Sequence, residues 1–426
     1  MQLSLDEFNR KYKLSEDLLQ KVRMAEGSKY SSSSVAGKPK RLGVEILKRF
    51  FTSPAAVISL MVFTIILLMA ILIPATSPYP ANARISDLAY TTNLPPYTTP
   101  YVSVPIGEGT DGYVVQETIK SWENLSGTHP QIYAELVRRG FTQDFLQPEV
   151  VGDNIYIRYN AYLFFRLHNL QDSLKAYSAS EITTQLADKI WSASEIKPIL
   201  GTEQTIAYDI WTRTWYATWK AIKISFIVAA IQAIIGVSLG AYLGFRAGSM
   251  IDTVTMRAID IFDSAPTLIW ILIFTALFGA HEGTLIITLS LVGWSGFVGG
   301  TRMYIITVKN EEYISAARAI GAKTSRQVFV HALPAIIGKI ANSFVRSIPG
   351  IIMWIASLAF LGFFRTEGSD VNLGQILIDA TNSGTSNAWT YILPTLILLF
   401  LSLSLSFIAL GLHDALDPRV MRKKRN

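Results

Sequence analysis

The sequence EYISAARAIGAKTSRQVFVHALP, which runs from Glu312 to Pro334, carries the most information about this chain. It is rich in charged residues and lies between two long apolar runs. Small residues such as Ala316 and Ala317 predict a closely packing helix, and Gly321 predicts its end because glycine adopts positive φ without steric cost. A second helical stretch is predicted from Ser325 to Leu333, with a break at the proline that follows. The pattern is typical of a compact docking element.

The composition indicates a membrane protein. Hydrophobic residues make up 50% of the chain and charged residues 16%, whereas soluble domains contain roughly 25% charged residues. The sequence contains no cysteine, which excludes disulfides, thiol catalysis and cysteine-based metal sites. Its five histidines are widely scattered and predict no metal centre.

Six membrane spans are predicted, because a span needs about 20 largely apolar residues. The third run is short, so we expect it to extend back through Ile259 and Phe262. No ionisable residue lies in the middle of a span, which argues against a proton-coupled carrier. Glycines at every fourth position of the second span predict a close helix contact. They are Gly236, Gly240, Gly244 and Gly248. The predicted spans are Ala55–Pro74, Ile222–Phe245, Thr267–Phe278, Thr284–Gly300, Pro349–Phe364 and Tyr391–Leu412.

Basic residues near the span ends predict the orientation of the chain. They concentrate before the first span, between the fourth and fifth spans, and after the last one. These three regions lie on one side of a six-span path, so we expect that side to be cytoplasmic. Both chain termini and the docking element would then lie inside.

The sequence predicts five regions. They are a cytoplasmic N-terminal segment (1–50), a first transmembrane helix (51–75), an extracytoplasmic insertion domain (76–215), a five-helix core (216–414) with the docking element at 311–335, and a cytoplasmic tail (415–426). Within Thr76–Arg213 there are 10 lysines and arginines and 15 acidic residues, so the insertion is acidic. Ile155–Tyr159 predicts a strand and Ser180–Ala193 a helix capped by Ser180, which together indicate a mixed α+β module.

The sequence contains no phosphate-binding loop of the pattern Gly-x-x-x-x-Gly-Lys-Ser/Thr. No arrangement of serine, histidine and aspartate predicts a catalytic site either. We therefore expect a chain that is not an enzyme and holds no cofactor. If transport is driven by ATP, another chain must bind the nucleotide.

The docking element resembles the EAA loop of the membrane subunits of ABC importers, above all the C-type subunits of the oligopeptide/dipeptide branch. The family pattern is Glu-Ala-Ala, three residues, Gly, nine residues, Ile, one residue, Leu-Pro. In this chain serine replaces the glutamate and histidine replaces the isoleucine. The resemblance implies that the element contacts an ATPase through Ser315, Ala316, Ala317, Arg318, Gly321, His331, Leu333 and Pro334.

Further matches follow in the family's order. Asn93–Pro96 and Gly201–Glu203 resemble two parts of a segment that is nearly contiguous in typical members. About a hundred residues between Pro100 and Leu200 are therefore an insertion. Asp209–Arg213 resembles the Asp-x-x-Ser-Arg that follows this segment. An Asp…Arg…Asp…Pro pattern at 252–266 and the ending at 412–419 also match.

The resemblance implies an all-α permease with six transmembrane helices and an inserted extracytoplasmic α+β domain in the cell (plasma or inner) membrane. Its implied partners are a second permease, two ATPase subunits that bind ATP and Mg, an extracytoplasmic substrate-binding protein and membrane lipids, with no nucleic acid. The implied cargo is oligopeptides or dipeptides, while similar permeases carry nickel chelates or sugars. A channel or carrier that works without ATP, and a membrane-anchored receptor, stay open. Two roles stay open for the insertion. It either contacts the substrate-binding protein or shapes substrate entry, or it has a purely structural role.

Overall fold

The computed structural model of the protein describes residues 42–107, 109–152, 154–279, 281–363, 371–384 and 387–416. The chain divides into two units at Arg49, and the fold described below belongs to the second unit, Phe50–Asn426. Most of the predicted N-terminal segment and the basic end of the predicted tail lie outside the described residues.

Helices dominate the described residues. In chain order the elements are α1 (Leu42–Phe50), α2 (Pro54–Thr76), β1 (Tyr101–Pro105), α3 (Asp111–Thr128), α4 (Pro130–Arg138), β2 (Gln147–Val151), β3 (Asn154–Asn160), α5 (Ala161–Leu174), α6 (Thr184–Ala193), α7 (Ile210–Phe245), α8 (Met250–Ser264), α9 (Thr267–Phe278), α10 (Glu282–Gly293), α11 (Ser295–Val308), α12 (Glu312–Ala319), α13 (Thr324–Arg326), a π-helical turn (Gln327–Ala332), α14 (Leu333–Phe360), α15 (Leu373–Ser383) and α16 (Trp389–Leu416).

Five helical stretches of the described residues are long and apolar enough to cross a membrane, and α8 with α9 would add a sixth as one bent span. The five are α2, α7, α10 with α11, the stretch 324–360, and α16. The helices extend beyond the apolar runs from which we predicted them. Helix α7 begins at Ile210 rather than Ile222, because the Asp209 side chain accepts a hydrogen bond from the Thr212 backbone N–H at 2.9 Å and caps the helix.

The sequence predicts that the third span extends back through Ile259 and Phe262 as one helix. The structure instead has two helices there. Helices α8 and α9 meet at an angle of 85°. The break falls at Ala265, whose backbone is extended (φ −79°, ψ 136°), immediately before Pro266. Proline disfavours helical geometry in the residue before it and has no N–H to continue the hydrogen-bond ladder. The bend therefore follows from the proline.

The predicted helix break at Pro334 is wrong. Helical structure continues through this proline from Thr324 to Phe360. The chain absorbs the proline with the π-helical turn that precedes it, in which the Leu333 N–H bonds to the Val328 carbonyl, five residues back. Pro334 is the second residue of α14 and directly follows this turn.

The glycine stripe of α7 packs against α11, which confirms the predicted close contact. A Cβ atom would lie 2.3 Å from the Trp294 carbonyl oxygen at Gly236 and 2.5 Å from that of Val298 at Gly240. At Gly244, a Cβ atom would lie 2.7 Å from the Arg302 carbonyl oxygen. Gly248 does not belong to the stripe, because it lies beyond the end of α7 with φ +89°.

The segment between α2 and α7 folds as the mixed α+β module that the sequence predicts. Its antiparallel sheet has the strand order β1-β3-β2, with Tyr101 opposite Asn160. The predicted strand at 155–159 corresponds to β3. Helices α3 and α5 bury Trp122, Phe164 and Phe165 in a core separate from that of the long helices. Helix α6 starts later than predicted, because Thr183 rather than Ser180 caps it by accepting from the Leu186 N–H.

The two halves of the split segment meet at the base of this module. The Leu94 N–H donates to Thr202 Oγ1 at 2.9 Å, and the Thr202 N–H donates to the Leu94 carbonyl at 3.0 Å. Asn387 Nδ2 donates to the carbonyls of Leu94 and Leu200 at 3.0 and 2.8 Å. Gly201 has φ +84°, and a Cβ there would lie 2.0 Å from the Leu94 carbonyl oxygen. The inserted segment thus leaves the helical core and returns to the same point.

We expect a half-buried histidine, His168, to make the module sensitive to acid. Burial lowers the pKa of His168, and this cause outweighs the nearby charges of Asp172, which raises the pKa, and Lys175, which lowers it. The centroids of the His168 and Tyr90 rings lie 4.5 Å apart. Because the folded pKa lies below that of the unfolded chain, the unfolded state binds more protons as the pH falls through 6.5, and the module loses stability. We expect hydrogen exchange of α5, corrected for the intrinsic rate, to show lower protection at pH 5 than at pH 7.

The variant His168→Phe removes the titrating group and should flatten this pH dependence. The matched control is His129→Gln, which changes an exposed histidine of the same module and should leave the pH dependence unchanged. If the protection of α5 depends on pH equally in the wild type and in His168→Phe, then His168 is not the source of the pH dependence.

Candidate coupling site

The turn after α12 has the geometry that the sequence predicts for Gly321. This residue has φ +85°, its N–H donates to the Arg318 carbonyl, and the Ala322 N–H donates to the Ala317 carbonyl, both at 3.0 Å. These two bonds form the Schellman motif, which terminates a helix on a residue with left-handed backbone. We call Glu312–Pro334 the coupling element.

Side chains on the inner side fix the coupling element to the helices beside it. Ile314 is fully buried in one cluster with Val328 and Ile336, and Ala317 is 6% exposed. The buried Gln327 side chain donates from Nε2 to the Ala322 carbonyl at 2.6 Å. Apolar burial and a buried hydrogen bond therefore hold the two arms of the turn together, and Ile314 packs in one cluster with Ile336 of α14.

The outer side of the coupling element exposes apolar side chains. Ile320 is 85% exposed, Val330 56% and Phe329 48%. Ala316 beside them is also exposed. Exposed apolar groups that cluster on one element are typical of a protein interface. Sequence reasoning did not single out Ile320, Phe329 or Val330, although an isoleucine directly before the glycine of a polar loop was a visible signal.

The predicted contact residues separate into two groups. Ala317 is buried and packs inside the element, so its side chain does not face a partner, and His331 and Leu333 are half-buried. The exposed members of the set are Ser315, Ala316, Arg318, Gly321 and Pro334. Arg318 also turns inward, since its Nε lies 3.4 Å from Gln327 Oε1.

An ion pair connects α8 to α11, the helix that precedes the coupling element. Arg302 donates to Asp252 through Nε at 2.6 Å and through Nη2 at 2.8 Å. The Gly248 N–H donates to the same carboxylate at 2.9 Å, and Asp252 is 2% exposed. Two parallel bonds from arginine to a carboxylate fix orientation as well as distance. Helix α8 is therefore held to the helix that leads into the coupling element.

Among the described residues, no group of three or more histidine, aspartate or glutamate side chains is arranged to hold a metal ion. The geometry of this region is that of a glycine turn between two helical arms that exposes apolar side chains.

Comparisons with known proteins give matches over most of the chain. Residues 236–422 match the family described as "Binding-protein-dependent transport system inner membrane component". Residues 42–96 match the "N-terminal TM domain of oligopeptide transport permease C". The oligopeptide transport system permease protein OppC of Mycoplasma pneumoniae is 33% identical over 398 residues, 92% of this chain and 94% of that protein. The OppC of Mycoplasma genitalium is 30% identical over the same shares.

A more distant relative covers less of the chain. The dipeptide transport system permease protein DppC of Bacillus subtilis is 30% identical over 227 residues, 52% of this chain and 69% of that protein. The two family matches leave out residues 97–235, which contain the inserted module, whereas the mycoplasma matches span nearly the whole chain. The inserted module therefore lies within a region that the mycoplasma proteins share.

Proposed function

Because the chain belongs to the family of C-type permease subunits of oligopeptide ABC importers, we propose that it forms one half of a translocation pathway for oligopeptides or dipeptides. It is the membrane component, and ATP hydrolysis in these systems belongs to separate subunits. A second permease and the ATPase subunits complete the importer. The proposed cargo rests on the names of the relatives, which are oligopeptide and dipeptide permeases.

The coupling element carries the proposed link to ATP hydrolysis. Its exposed apolar side chains, above all Ile320, would bind in a groove of an ATPase subunit. Because Gln327 joins the two arms of the element and Ile314 packs in one cluster with Ile336 of α14, a displacement of the ATPase would move the membrane helices as a lever. Such a displacement would switch the permease pair between inward-facing and outward-facing states. ATP and Mg would be bound by the ATPase subunits alone.

The proposed orientation places both termini in the cytoplasm. Lysines and arginines of the coupling region support it, since cytoplasmic loops carry an excess of these residues. The inserted module would then lie outside the cell, where a substrate-binding protein delivers cargo. The exposed apolar side chains of α2, which include Met61 at 60% and Leu72 at 55%, would contact membrane lipids.

The variant Ile320→Glu tests the proposed coupling. This side chain is 85% exposed, so the substitution costs the permease little stability, but it places a charge in the proposed apolar contact. We expect the ATPase subunits to co-purify with the wild-type chain and to be lost, at least about tenfold, with the variant, because burying an unpaired charge at an interface costs at least about 1.4 kcal/mol. Peptide uptake into membrane vesicles should fall in parallel.

The control is Val150→Glu, which changes a residue of the inserted module that is 73% exposed and should leave ATPase binding intact. If Ile320→Glu retains its ATPase subunits, the coupling element is not the docking site. If no ATPase co-purifies with the wild-type chain from its native membrane, the importer proposal itself fails. Uptake of labelled peptides, nickel chelates and sugars in the same vesicles separates the proposed cargo from the alternatives.

A further inference from the structure

A polar cavity lies at the opposite end of α7 from the coupling element. It has a volume of about 420 Å³ and is bounded by the segment before α7, the first turn of α7, helix α15 and the start of α16. Charged, amide and hydroxyl side chains make up most of its described lining. They include Glu203, Tyr208, Arg213, Gln375, Asp379 and Thr390. A cavity of this size holds a short peptide or the end of a longer one.

Three side chains of this lining are more than nine-tenths buried and have a polar atom without a hydrogen-bond partner among the described residues. They are Arg213 (8% exposed, Nη1), Gln375 (7%, Oε1) and Thr390 (1%, Oγ1). Native proteins rarely leave buried polar atoms unpaired, because desolvation without a compensating bond costs free energy. Three such groups around one cavity indicate that the arrangement is completed by a polar ligand.

The Arg213 side chain of the cavity is oriented by contact with an aromatic ring. The Arg213 guanidinium lies over the Tyr208 ring, 3.6 Å from its centroid. A guanidinium group is planar, and two of its N–H groups can donate to the two oxygens of one carboxylate. Arg213 thus presents a fixed donor group to a ligand.

The Glu203 carboxylate of the lining is hydrogen-bonded by its own loop. Glu203 accepts from the Thr205 N–H at 2.9 Å, from Thr205 Oγ1 at 2.5 Å and from the Ile206 N–H at 2.8 Å. Both of its carboxylate oxygens are therefore paired within the loop. Gln375 Oε1, an acceptor without a partner among the described residues, favours a ligand that also carries an N–H group. A carboxylate together with N–H donors is the chemistry of a peptide terminus.

The geometry points to this cavity as a binding site for the free carboxylate end of a short peptide, with Arg213 as the carboxylate partner and Gln375 and Thr390 as partners of the peptide main chain. The inference rests on the proposed peptide import and adds to it a recognition site within this permease chain. In the proposed orientation the cavity faces the side from which cargo arrives.

Photolabelling of the purified importer, with its second permease and ATPase subunits, tests the inference. The probe is a tripeptide whose C-terminal residue carries a diazirine group. We expect labelling of residues 203–214, of residues 375–383 and of Thr390. A tripeptide with a free carboxylate should compete for this labelling at least about tenfold better than its C-terminally amidated form, because a hydrogen bond to a charged group contributes at least this factor.

Two variants sharpen the test. Arg213→Gln should abolish the preference for the free carboxylate. Since this buried change also risks misfolding, Asn382→Asp at the exposed rim provides a second variant; its added negative charge should weaken competition by the free peptide more than by the amidated one. Labelling elsewhere, or equal competition by both peptides in the wild type, would overturn the inference. An importer that hydrolyses ATP in response to peptide but shows no such labelling leaves the proposed function standing.

Discussion

The variant Gly240→Leu should prevent the permease core from packing. A Cβ atom at this position would lie 2.5 Å from the Val298 carbonyl oxygen and 3.0 Å from the Thr301 Cβ. Both atoms belong to α11, so the clash cannot be relieved by a rotamer change, and α7 and α11 must separate. Overpacking of a tight contact costs about 3 kcal/mol at the upper end of its usual range. Membrane helices associate largely through such close contacts between small residues.

The measurement is the yield and thermal midpoint of the detergent-purified chain. We expect loss of most of the monodisperse protein with Gly240→Leu. Gly299→Leu is the matched control, because this glycine lies on α11 with no atom within 4 Å of its added Cβ. A normal yield and midpoint for Gly240→Leu would show that the contact between α7 and α11 is not required for folding.

The variant Arg302→Leu should have the second large effect, because it leaves the Asp252 carboxylate buried without its charge partner. Asp252 is 2% exposed and would keep only the hydrogen bond from the Gly248 N–H. Because the Arg302 side chain is 29% exposed, solvent reaches one side of the pair, and we expect the loss of this partner to cost about 1–3 kcal/mol. We expect a lower thermal midpoint and faster hydrogen exchange in α8, whose attachment to α11 depends on this pair.

The double variant Asp252→Leu with Arg302→Leu removes both charges and should recover a large part of the lost stability. Arg257→Leu is the matched control. Arg257 Nη1 lies 3.5 Å from Asp260 Oδ2, and both side chains are more than half exposed. The free energy of unfolding should therefore fall by less than about 1 kcal/mol in this control. If Arg257→Leu and Arg302→Leu destabilise the chain equally, burial of Asp252 is not the cause.

The coupling element illustrates which local features could be predicted from the sequence. Gly321 predicted a helix end, because only glycine takes φ near +85° without strain. The break at Pro334 was predicted by the same kind of rule and is wrong. A π-helical turn absorbs the proline there, and such a turn depends on how Val328 and Ala332 pack, which no local pattern reveals.

Exposure within the element was likewise decided by packing. Ala316 and Ala317 are identical and adjacent in sequence, yet Ala317 is 6% exposed and Ala316 lies on the surface. Their helix packs Ile314 into the cluster around Ile336, and this fixes which alanine faces inward. The three exposed apolar side chains at the proposed interface became visible only with that orientation.

By itself, the sequence determined the properties that depend on neighbours along the chain. These are the apolar runs that set the number of spans, the glycine turn, the glycine stripe of α7 and the strand at 155–159. Only the tertiary structure decided contacts between distant residues. Leu94 meets Thr202 and Arg302 meets Asp252, while Arg213 and Gln375 come together around one cavity. The physical reason is that hydrophobic periodicity and backbone preference act over a few residues, whereas hydrogen bonds, ion pairs and cavities depend on how whole helices pack.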